Sequence, residues 1–189
     1  AALLREVGDR RLALEVERGG VRLAVPEQEV EREGEGWTVR YRVPRQVEDD
    51  NAQISLLTGM EAARLMLEAG VGILRTQPEP DERALRRFRL QCEALGVEWS
   101  AGMTYPELIR SLDPTDPAHA ALLQEATGVG RGAGYTAFDG ETPAEHEHFS
   151  IAADYAHATA PLRRLQDRYV SECCLAAAAG TAPPDWVRA

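Results

Sequence analysis

The chain has 189 residues, of which 44% are hydrophobic and 28% are charged, and its formal net charge is -10. This composition is that of a globular protein and excludes a disordered chain. The acidic balance excludes a basic coat for nucleic acid, although a narrow basic groove remains compatible with it. The longest mainly apolar stretch, residues 54–67, contains Ser55, Thr58, Glu61 and Arg64 and is too short and too polar to span a bilayer, so no membrane partner is expected.

The cysteine pattern bears on the cellular compartment. The chain has an odd number of cysteines, and they form no C-x-x-C pair. They are Cys92, Cys173 and Cys174. The pattern therefore indicates neither a disulfide framework nor a thiolate zinc site. Reduced thiols and a cytoplasmic location are the expectation.

The first 26 residues predict two elements, a helix and a short strand. Residues 3–17 fit both an alternating strand and a helix, and we favour a helix that ends at Gly19 and Gly20. Residues 21–25 alternate between apolar and polar side chains and end at Pro26, which predicts a short strand.

A second strand is predicted over residues 37–44, after a turn at residues 33–36. Its apolar residues alternate and therefore share one face of the strand. They are Trp37, Val39, Tyr41 and Val43.

From residue 51 onward the apolar residues follow helical spacing. Residues 51–69 predict a helix capped by Asp49 or Asp50, ended by Gly70, and apolar on nearly all sides, which indicates burial. Later helix starts are indicated by N-cap signals. These signals are Asp81, the Thr104–Glu107 capping box, and Asp116 before Pro117; a glycine-rich loop over residues 128–134 follows them.

The last helix is predicted to begin near Pro161 and to end at Gly180, with Leu162, Leu165, Tyr169 and Cys173 on its inward side. This start places Arg163 and Arg164 in the first turn, where the helix dipole favours acids. A bound anion would explain two cations there, because free N–H groups and guanidinium groups both bind phosphate. The alternative is an ion pair with Asp154 or Asp167.

Three further patterns each allow a functional and a structural interpretation. His146, His148 and His157 could ligate a metal, or form ordinary hydrogen bonds. The acids of "VEDDN" (47–51) could hold metal ions, or support a helix N-terminus. Tyr135 and Phe138 beside Arg131 could stack on single-stranded nucleic acid, or anchor a flexible loop.

Residues 131–172, "RGAGYTAF…EHFSIAADYAHATAPLRRLQDRYVSE", resemble the C-terminal half of the catalytic domain of the ribonuclease II (RNB) family. The likeness is closest to a divergent bacterial branch found in actinobacteria and in Deinococcus-like relatives. Upstream, residues 18–30, 51–67 and 72–88 are similar to successive segments of the same domain. The matching positions are Tyr135, His148, Phe149, Tyr155, His157, Thr159, Pro161, Arg163, Arg164 and Asp167.

This resemblance implies a magnesium-dependent exoribonuclease that hydrolyses single-stranded RNA from the 3′ end to nucleoside monophosphates. It implies that Arg163 is catalytic, because it would stabilise the negative charge on the attacked phosphate. The RNA- or phosphate-binding residues that it implies are Arg164, His157, Tyr135, Tyr155, Thr159, Asn51 and Gln53. The family's aspartate cluster has no counterpart here, so the Mg²⁺ ligands are expected in an upstream half of the protein, and none in this chain.

The chain also departs from the family pattern. Ala158, Ala160 and Leu165 replace a phenylalanine, a serine and a tyrosine, and Gln77 stands where histidine is usual. The usual pair of glutamates at the start of the central helix is replaced near Asn51.

The expected fold is α+β, a single partial domain over residues 1–189 with strands within residues 20–45 and 132–150 and helices around them. The expected partners are single-stranded RNA and the upstream half of the same protein, without which the chain is expected to be inactive and poorly soluble or oligomeric. Two rival hypotheses remain. One is a non-catalytic RNA-binding or interaction module on an RNB scaffold, and the other is an unrelated metal hydrolase that uses the three histidines.

Overall fold

The computed structural model describes residues 2–188, and it mixes helices with small antiparallel sheets, which confirms the α+β class. The helices are α1 (Ala2–Arg18), α2 (Gln46–Ala69), α3 (Glu82–Ala94), α4 (Tyr105–Ser111), α5 (Pro117–Ala126), α6 (Leu165–Ala179) and α7 (Asp185–Arg188). The strands are β1 (Glu27–Glu33), β2 (Gly36–Arg42), β3 (Val71–Thr76), β4 (Gly134–Asp139), β5 (Glu147–His148) and β6 (Ala153–Asp154). They pair as β1–β2, β3–β4 and β5–β6. No helix within residues 2–188 combines the length and the apolar character needed to cross a membrane.

The first helix is confirmed, whereas the predicted strand over residues 21–25 is wrong. That segment is extended but has no ladder partner within residues 2–188, and the backbone bond that holds it runs from Val21 N to Ser150 O at 2.8 Å. Its alternation reflects burial on one side, because Val21, Leu23 and Val25 pack on the core formed by α3, α4 and α5.

The predicted strand over residues 37–44 is confirmed as β2, and its partner β1 was not predicted individually. The opposite face of the hairpin is held by ion pairs such as Arg40–Glu31 and Arg42–Glu29. The apolar face of β2 remains uncovered, with Trp37 72% exposed. The alternation of apolar residues therefore predicted the strand correctly. It did not produce a buried face, since the hairpin has few contacts with the other helices and strands.

The central helix α2 begins earlier than predicted, and the predicted caps at Asp49 and Asp50 are wrong because both residues lie inside the helix. Arg45 is the N-cap, and the Glu48 carboxylate accepts from its backbone N–H at 2.5 Å. The stop at Gly70 is confirmed by its left-handed φ of 72°. The expectation of burial on nearly all sides is wrong, since α2 buries one face. The buried residues are Asp50, Gln53, Gly59, Ala62, Ala63 and Met66.

The three predicted caps of α3, α4 and α5 are confirmed. Asp81 accepts from Ala84 N, Thr104 forms the capping box with Glu107, and Asp116 accepts from the start of α5. These helices enclose one of two apolar cores. Its fully buried large side chains are Phe88, Leu108, Ile109, Leu122 and Leu123.

A second core lies between α2, α6 and the β3–β4 sheet, and it positions the segment that carries the matched motif. Strand β3 was not predicted, because the sequence placed strands only within residues 20–45 and 132–150. Residues 155–156 approach α2 closely, and Ala156 N donates to Gly59 O at 3.1 Å.

The close approach at Gly59 leads to a stability prediction. A Cβ atom at this position would lie 2.5 Å from Ala156 O and would also overlap the Tyr155 ring. We expect Gly59→Ala to destabilise the protein by about 1–3 kcal/mol or more, measured by urea unfolding, since the overlapping atoms belong to buried backbone and a buried ring. Gly36→Ala is the control, because the nearest atom to its Cβ lies 3.8 Å away. Equal unfolding midpoints for the two variants would contradict this prediction.

Candidate nucleic-acid interface

The two arginines of the matched motif lie in a turn that precedes the last helix. That helix, α6, begins at Leu165 and not near Pro161, and the N–H groups of Arg163 and Arg164 both bond to Ala160 O. The first turn of α6 contains Asp167, the charge that the helix dipole favours. The predicted placement of both arginines inside the helix is therefore wrong. The predicted inward orientation of Leu162 and Leu165 is also wrong, because Leu162 is 95% exposed and Leu165 is exposed too.

Arg164 is engaged with a buried carboxylate. Asp167 is fully buried, and its Oδ1 accepts from Arg164 Nη2 at 2.9 Å and from Ala160 N at 2.7 Å. Arg164 Nε lies 2.9 Å from Asp167 Oδ2 as a close ion-pair contact without hydrogen-bond alignment. The ion-pair interpretation is thus confirmed for Arg164, with Asp167 and not Asp154 as its partner.

Arg163 differs from its neighbour in having no such partner. Its side chain is exposed, and among residues 2–188 no carboxylate lies within 4.0 Å of it. An exposed guanidinium group without a protein partner is free to bind an anion bidentately.

Next to these arginines, Tyr135, His157 and Gln166 form a connected hydrogen-bond network. The Gln166 amide donates to Tyr135 Oη at 2.6 Å and lies 2.9 Å from His157 Nδ1. Tyr135 Oη is 2.9 Å from the same Nδ1. Since an amide NH₂ can only donate, Nδ1 is the acceptor, and a neutral imidazole with its proton on Nε2 fits this arrangement.

An aromatic series extends from this network into the protein. The rings of Tyr135 and His157 are 5.8 Å apart, those of His157 and Tyr155 are 5.6 Å apart, and those of Tyr155 and His148 are 6.0 Å apart. The Arg75 guanidinium lies over the Tyr135 ring, 4.6 Å from its centroid. Tyr135 remains 46% exposed, which leaves part of its ring available for stacking.

The charges around this series act on both histidines. Burial, and next the positive charge of Arg75, lower the pKa of His148 to about 4. Burial, followed by the charges of Arg164 and Arg75, lowers the pKa of His157, and Arg163 contributes in the same direction. Cations therefore converge on His157 in a chain whose formal net charge is -10.

The depressed histidine pKa values predict how stability depends on pH. Between pH 6.5 and about 4 the unfolded chain binds protons that folded His148 does not bind. The contribution of His148 to the free energy of unfolding should therefore be complete above pH 6.5 and decrease as the pH is lowered through this window. Urea unfolding at pH 7 and pH 5 should show a larger loss in the wild type than in His148→Gln. An NMR titration that gives His148 an ordinary pKa would contradict this expectation.

The other predicted binding residues lie at different places. Thr159 is exposed and bonds Ser55 through the two hydroxyl oxygens at 2.9 Å. Asn51 is exposed and lines a cavity of about 610 Å³ that Ser55 also lines. Gln53 is buried, and its amide donates to Glu15 at 2.5 Å, so its side chain is not presented to a ligand.

The loop over residues 128–134 does not build the stacking site predicted around Arg131. Phe138 is buried in the second core and cannot stack on a base. Arg131 faces a separate small cavity beside Arg87. Of that predicted trio, only Tyr135 belongs to the network.

The acids and histidines of the described residues do not fit a metal centre. Glu48 pairs with Arg42, and Asp49 lies 3.0 Å from Arg22. His146 lies 2.6 Å from Asp154. Within residues 2–188, no group of three or more His, Cys, Asp or Glu side chains is arranged to hold an ion. The three-histidine metal hydrolase hypothesis is therefore not supported by the geometry.

Two residues at the site, Arg75 and Gln166, were not found from the sequence. Arg75 lies in a strand that was not predicted, and its position over Tyr135 depends on the pairing of β3 with β4. Gln166 matches no sequence motif. Its amide reaches Tyr135 and His157 because α6 begins at Leu165 and places Gln166 in its first turn.

Comparisons with known proteins establish the fold. No family model and no curated protein matches the sequence. Mycoplasma genitalium RNase R, solved in complex with ribose-methylated single-stranded RNA, superposes with a TM-score of 0.72 and 17% identity over 92% of this chain. Yeast Ssd1, described as a pseudonuclease, superposes with a TM-score of 0.71 and 16% identity over 99% of this chain.

The chain spans only 28% of that RNase R chain and 24% of the Ssd1 chain. Both are similar in structure to this chain at low identity. The likeness therefore establishes that these residues adopt an RNB-like fold, as the motif resemblance predicted.

Proposed function

We propose that this chain is the RNA- and phosphate-binding half of an RNB-type 3′-to-5′ exoribonuclease, a single partial domain whose substrate is single-stranded RNA. The observation that carries the proposal is Arg163, an exposed guanidinium beside the Tyr135–His157–Gln166 network that has no carboxylate partner among residues 2–188. A phosphodiester anion would supply the negative charge that Arg163 lacks, since among residues 2–188 no carboxylate pairs with this guanidinium.

Each member of the site has a distinct role in this proposal. Arg163 contacts the phosphate that is attacked and stabilises its developing negative charge. His157 holds its proton on Nε2, which has no partner among residues 2–188 and can donate to a phosphate or a ribose hydroxyl. Tyr135 offers its half-exposed ring to a base. Thr159 and Asn51, which lie near Ser55, contact the RNA away from Arg163 in this proposal.

Arg164 and Tyr155 support the site from within. Arg164 fixes the 160–164 turn through Asp167, and its positive charge adds to burial in lowering the pKa of His157. Tyr155 is buried against the His157 ring. Both act by positioning His157 and Arg163.

The magnesium expected from the resemblance does not fit residues 2–188, because Glu48 and Asp49 are already paired with arginines and no three ligating side chains come together there. We therefore place the Mg²⁺ ligands in the upstream half of the full polypeptide, which is the second partner in this proposal. The 189-residue chain alone is then inactive, and a cytoplasmic location is part of the same proposal.

A non-catalytic RNA-binding module on the same scaffold is the second candidate. The likeness to Ssd1, a pseudonuclease that matches 99% of this chain, favours it. The substituted positions Ala158, Ala160 and Leu165 are compatible with it as well.

Digestion of a 5′-labelled single-stranded RNA with Mg²⁺, resolved on a sequencing gel, tests the proposal. We expect the full polypeptide to produce a ladder that shortens from the 3′ end, and the 189-residue chain alone to produce none. RNA binding without cleavage by the full polypeptide would favour the non-catalytic module. Neither binding nor cleavage would contradict both candidates.

A further inference from the structure

Strand β4 has one paired edge and one open edge. Gly140 N donates to Gly70 O at 2.7 Å. Because hydrogen-bonded pairs alternate along an antiparallel ladder, Gly134, Thr136 and Phe138 are the residues of β4 whose backbone groups bond to β3. The alternate residues, Tyr135, Ala137 and Asp139, direct their N–H and C=O groups away from β3. No backbone or side-chain group of residues 2–188 bonds to them.

The two edges of the β3–β4 sheet differ in this respect. On the β3 side, Arg75 N donates to Tyr155 O at 2.7 Å, and Gln77 forms a bridge with His148. On the β4 side the sheet ends. Natural proteins protect such edges with proline, charged side chains, bulges or a covering element, whereas β4 reads "GYTAFD", contains no proline, and has Asp139 at its end as its one charged residue.

An apolar groove lies against the β3–β4 sheet and is lined in part by Ala137 and Asp139 of the open edge. It is a cavity of about 620 Å³ between the β3–β4 sheet and helices α6 and α7. Leu165 lies in it and is 65% exposed, although the sequence predicted it to face the core. Other lining residues are Ala137, Phe138, Tyr169, Cys173 and Val187.

We propose that a β-strand from the upstream half of the polypeptide pairs with the open edge of β4 and places apolar side chains in this groove. The inference rests on the proposed function, in which an upstream half completes the enzyme. This chain spans 28% of RNase R and 24% of Ssd1, which leaves ample chain in a protein of that size to supply the strand. Strand addition satisfies the free backbone groups, and the groove accepts alternate side chains of the added strand.

The position of Tyr135 gives this interface a functional consequence. Tyr135 belongs both to the open edge and to the network that contains His157. A strand paired with β4 therefore brings residues of the upstream half next to the phosphate site, so that docking and completion of the active site are one event.

A second copy of this chain fits the groove less well. In a two-fold pairing of β4 with itself, the added strand would present Tyr135, Ala137 and Asp139. Tyr135 is bonded to Gln166 and Asp139 lies 3.1 Å from Arg188, so the methyl group of Ala137 is the one apolar side chain that this strand offers the groove.

Hydrogen exchange at single-residue resolution tests this inference in the full polypeptide and in the 189-residue chain. We expect the amides of Tyr135, Ala137 and Asp139 to exchange at least about 100-fold more slowly in the full polypeptide. The amides of Thr136 and Phe138, which face β3, should be protected in both and serve as the internal control.

Two substitutions at one position sharpen the test. Ala137→Pro removes an outward N–H without removing a bond to β3, and in the full polypeptide it should abolish the added protection at Tyr135 and Asp139. Ala137→Val keeps the N–H and should retain that protection. Equally fast exchange of the three amides in both proteins would overturn the inference, and so would concentration-dependent protection in the 189-residue chain alone, which indicates self-pairing.

RNA digestion separates this inference from the proposed function. An unprotected edge in a protein that degrades RNA would overturn only the inference. A protected edge in a protein that neither binds nor degrades RNA would support the interface and overturn the function.

Discussion

Arg164→Ala should destabilise the protein by about 3–5 kcal/mol, because it removes the only cation that compensates a buried carboxylate. Asp167 is 0% exposed, and among residues 2–188 Arg164 is its sole ion-pair partner within 4.0 Å. The variant leaves a buried charge bonded to a single backbone N–H, that of Ala160. Urea unfolding measures the loss.

Arg163→Ala is the matched control for this effect. It removes the same side chain one residue earlier, from an exposed position without an ion pair, and should change stability by less than about 0.5 kcal/mol. Equal unfolding midpoints for the two variants would show that the Arg164–Asp167 pair does not hold the turn.

A double variant identifies the cause of the loss. Asn in place of Asp167 keeps an oxygen that can accept from Ala160 N but carries no charge. Adding Asp167→Asn to Arg164→Ala should therefore recover part of the lost stability, whereas simple loss of packing around Arg164 would give no recovery.

The helix caps show which features of the fold are predictable from sequence. Asp81, Thr104 and Asp116 each satisfy N–H groups two or three residues away, so the signal and its structure lie in the same short segment. The left-handed stops at Gly70 and Gly180 are local for the same reason.

The start of α6 shows what a local pattern misses. Pro161 is a favoured first helical residue, but Asp167 accepts from Ala160 N and holds residues 160–164 in a turn. This contact spans seven residues and depends on the burial of Asp167 in the core. The sequence therefore offered Asp167 correctly as a partner for the arginines, but its placement of both arginines inside the helix is wrong.

The substitution at Gln77 shows how tertiary contacts explain a departure from the family pattern. Its amide Nε2 donates to Gly130 O at 2.5 Å, and its Oε1 accepts from Ser150 N at 2.8 Å. Gln77 thus ties the glycine-rich loop to the segment after β5. Both partners are more than 50 residues away, so no sequence pattern around Gln77 predicts them.

In the full polypeptide, Arg163→Ala should lower the rate of RNA hydrolysis by about 100- to 1000-fold, the scale found when one group that stabilises transition-state charge is removed. Because Arg163 is exposed and forms no ion pair with the described residues, the fold should be retained, which thermal unfolding can check. Arg86→Ala, on α3, removes an equal charge from an exposed pair with Glu82 and should leave the rate unchanged.

The kinetic parameters then distinguish chemistry from binding. If Arg163 stabilises the attacked phosphate, kcat falls; if it only holds RNA, KM rises while kcat stays constant. Arg163→Lys keeps the charge but loses the bidentate geometry, so its rate should lie between those of the wild type and Arg163→Ala.

If the full polypeptide binds RNA without cleaving it, the same variant still tests the phosphate contact. The RNA affinity should fall, and the slope of log Kd against log salt concentration should decrease by about one, since one phosphate contact is lost. A variant that changes neither the hydrolysis rate nor the salt dependence of binding would remove Arg163 from the interface. The free guanidinium would then be an ordinary surface charge, and the resemblance to nucleases would extend to the fold alone.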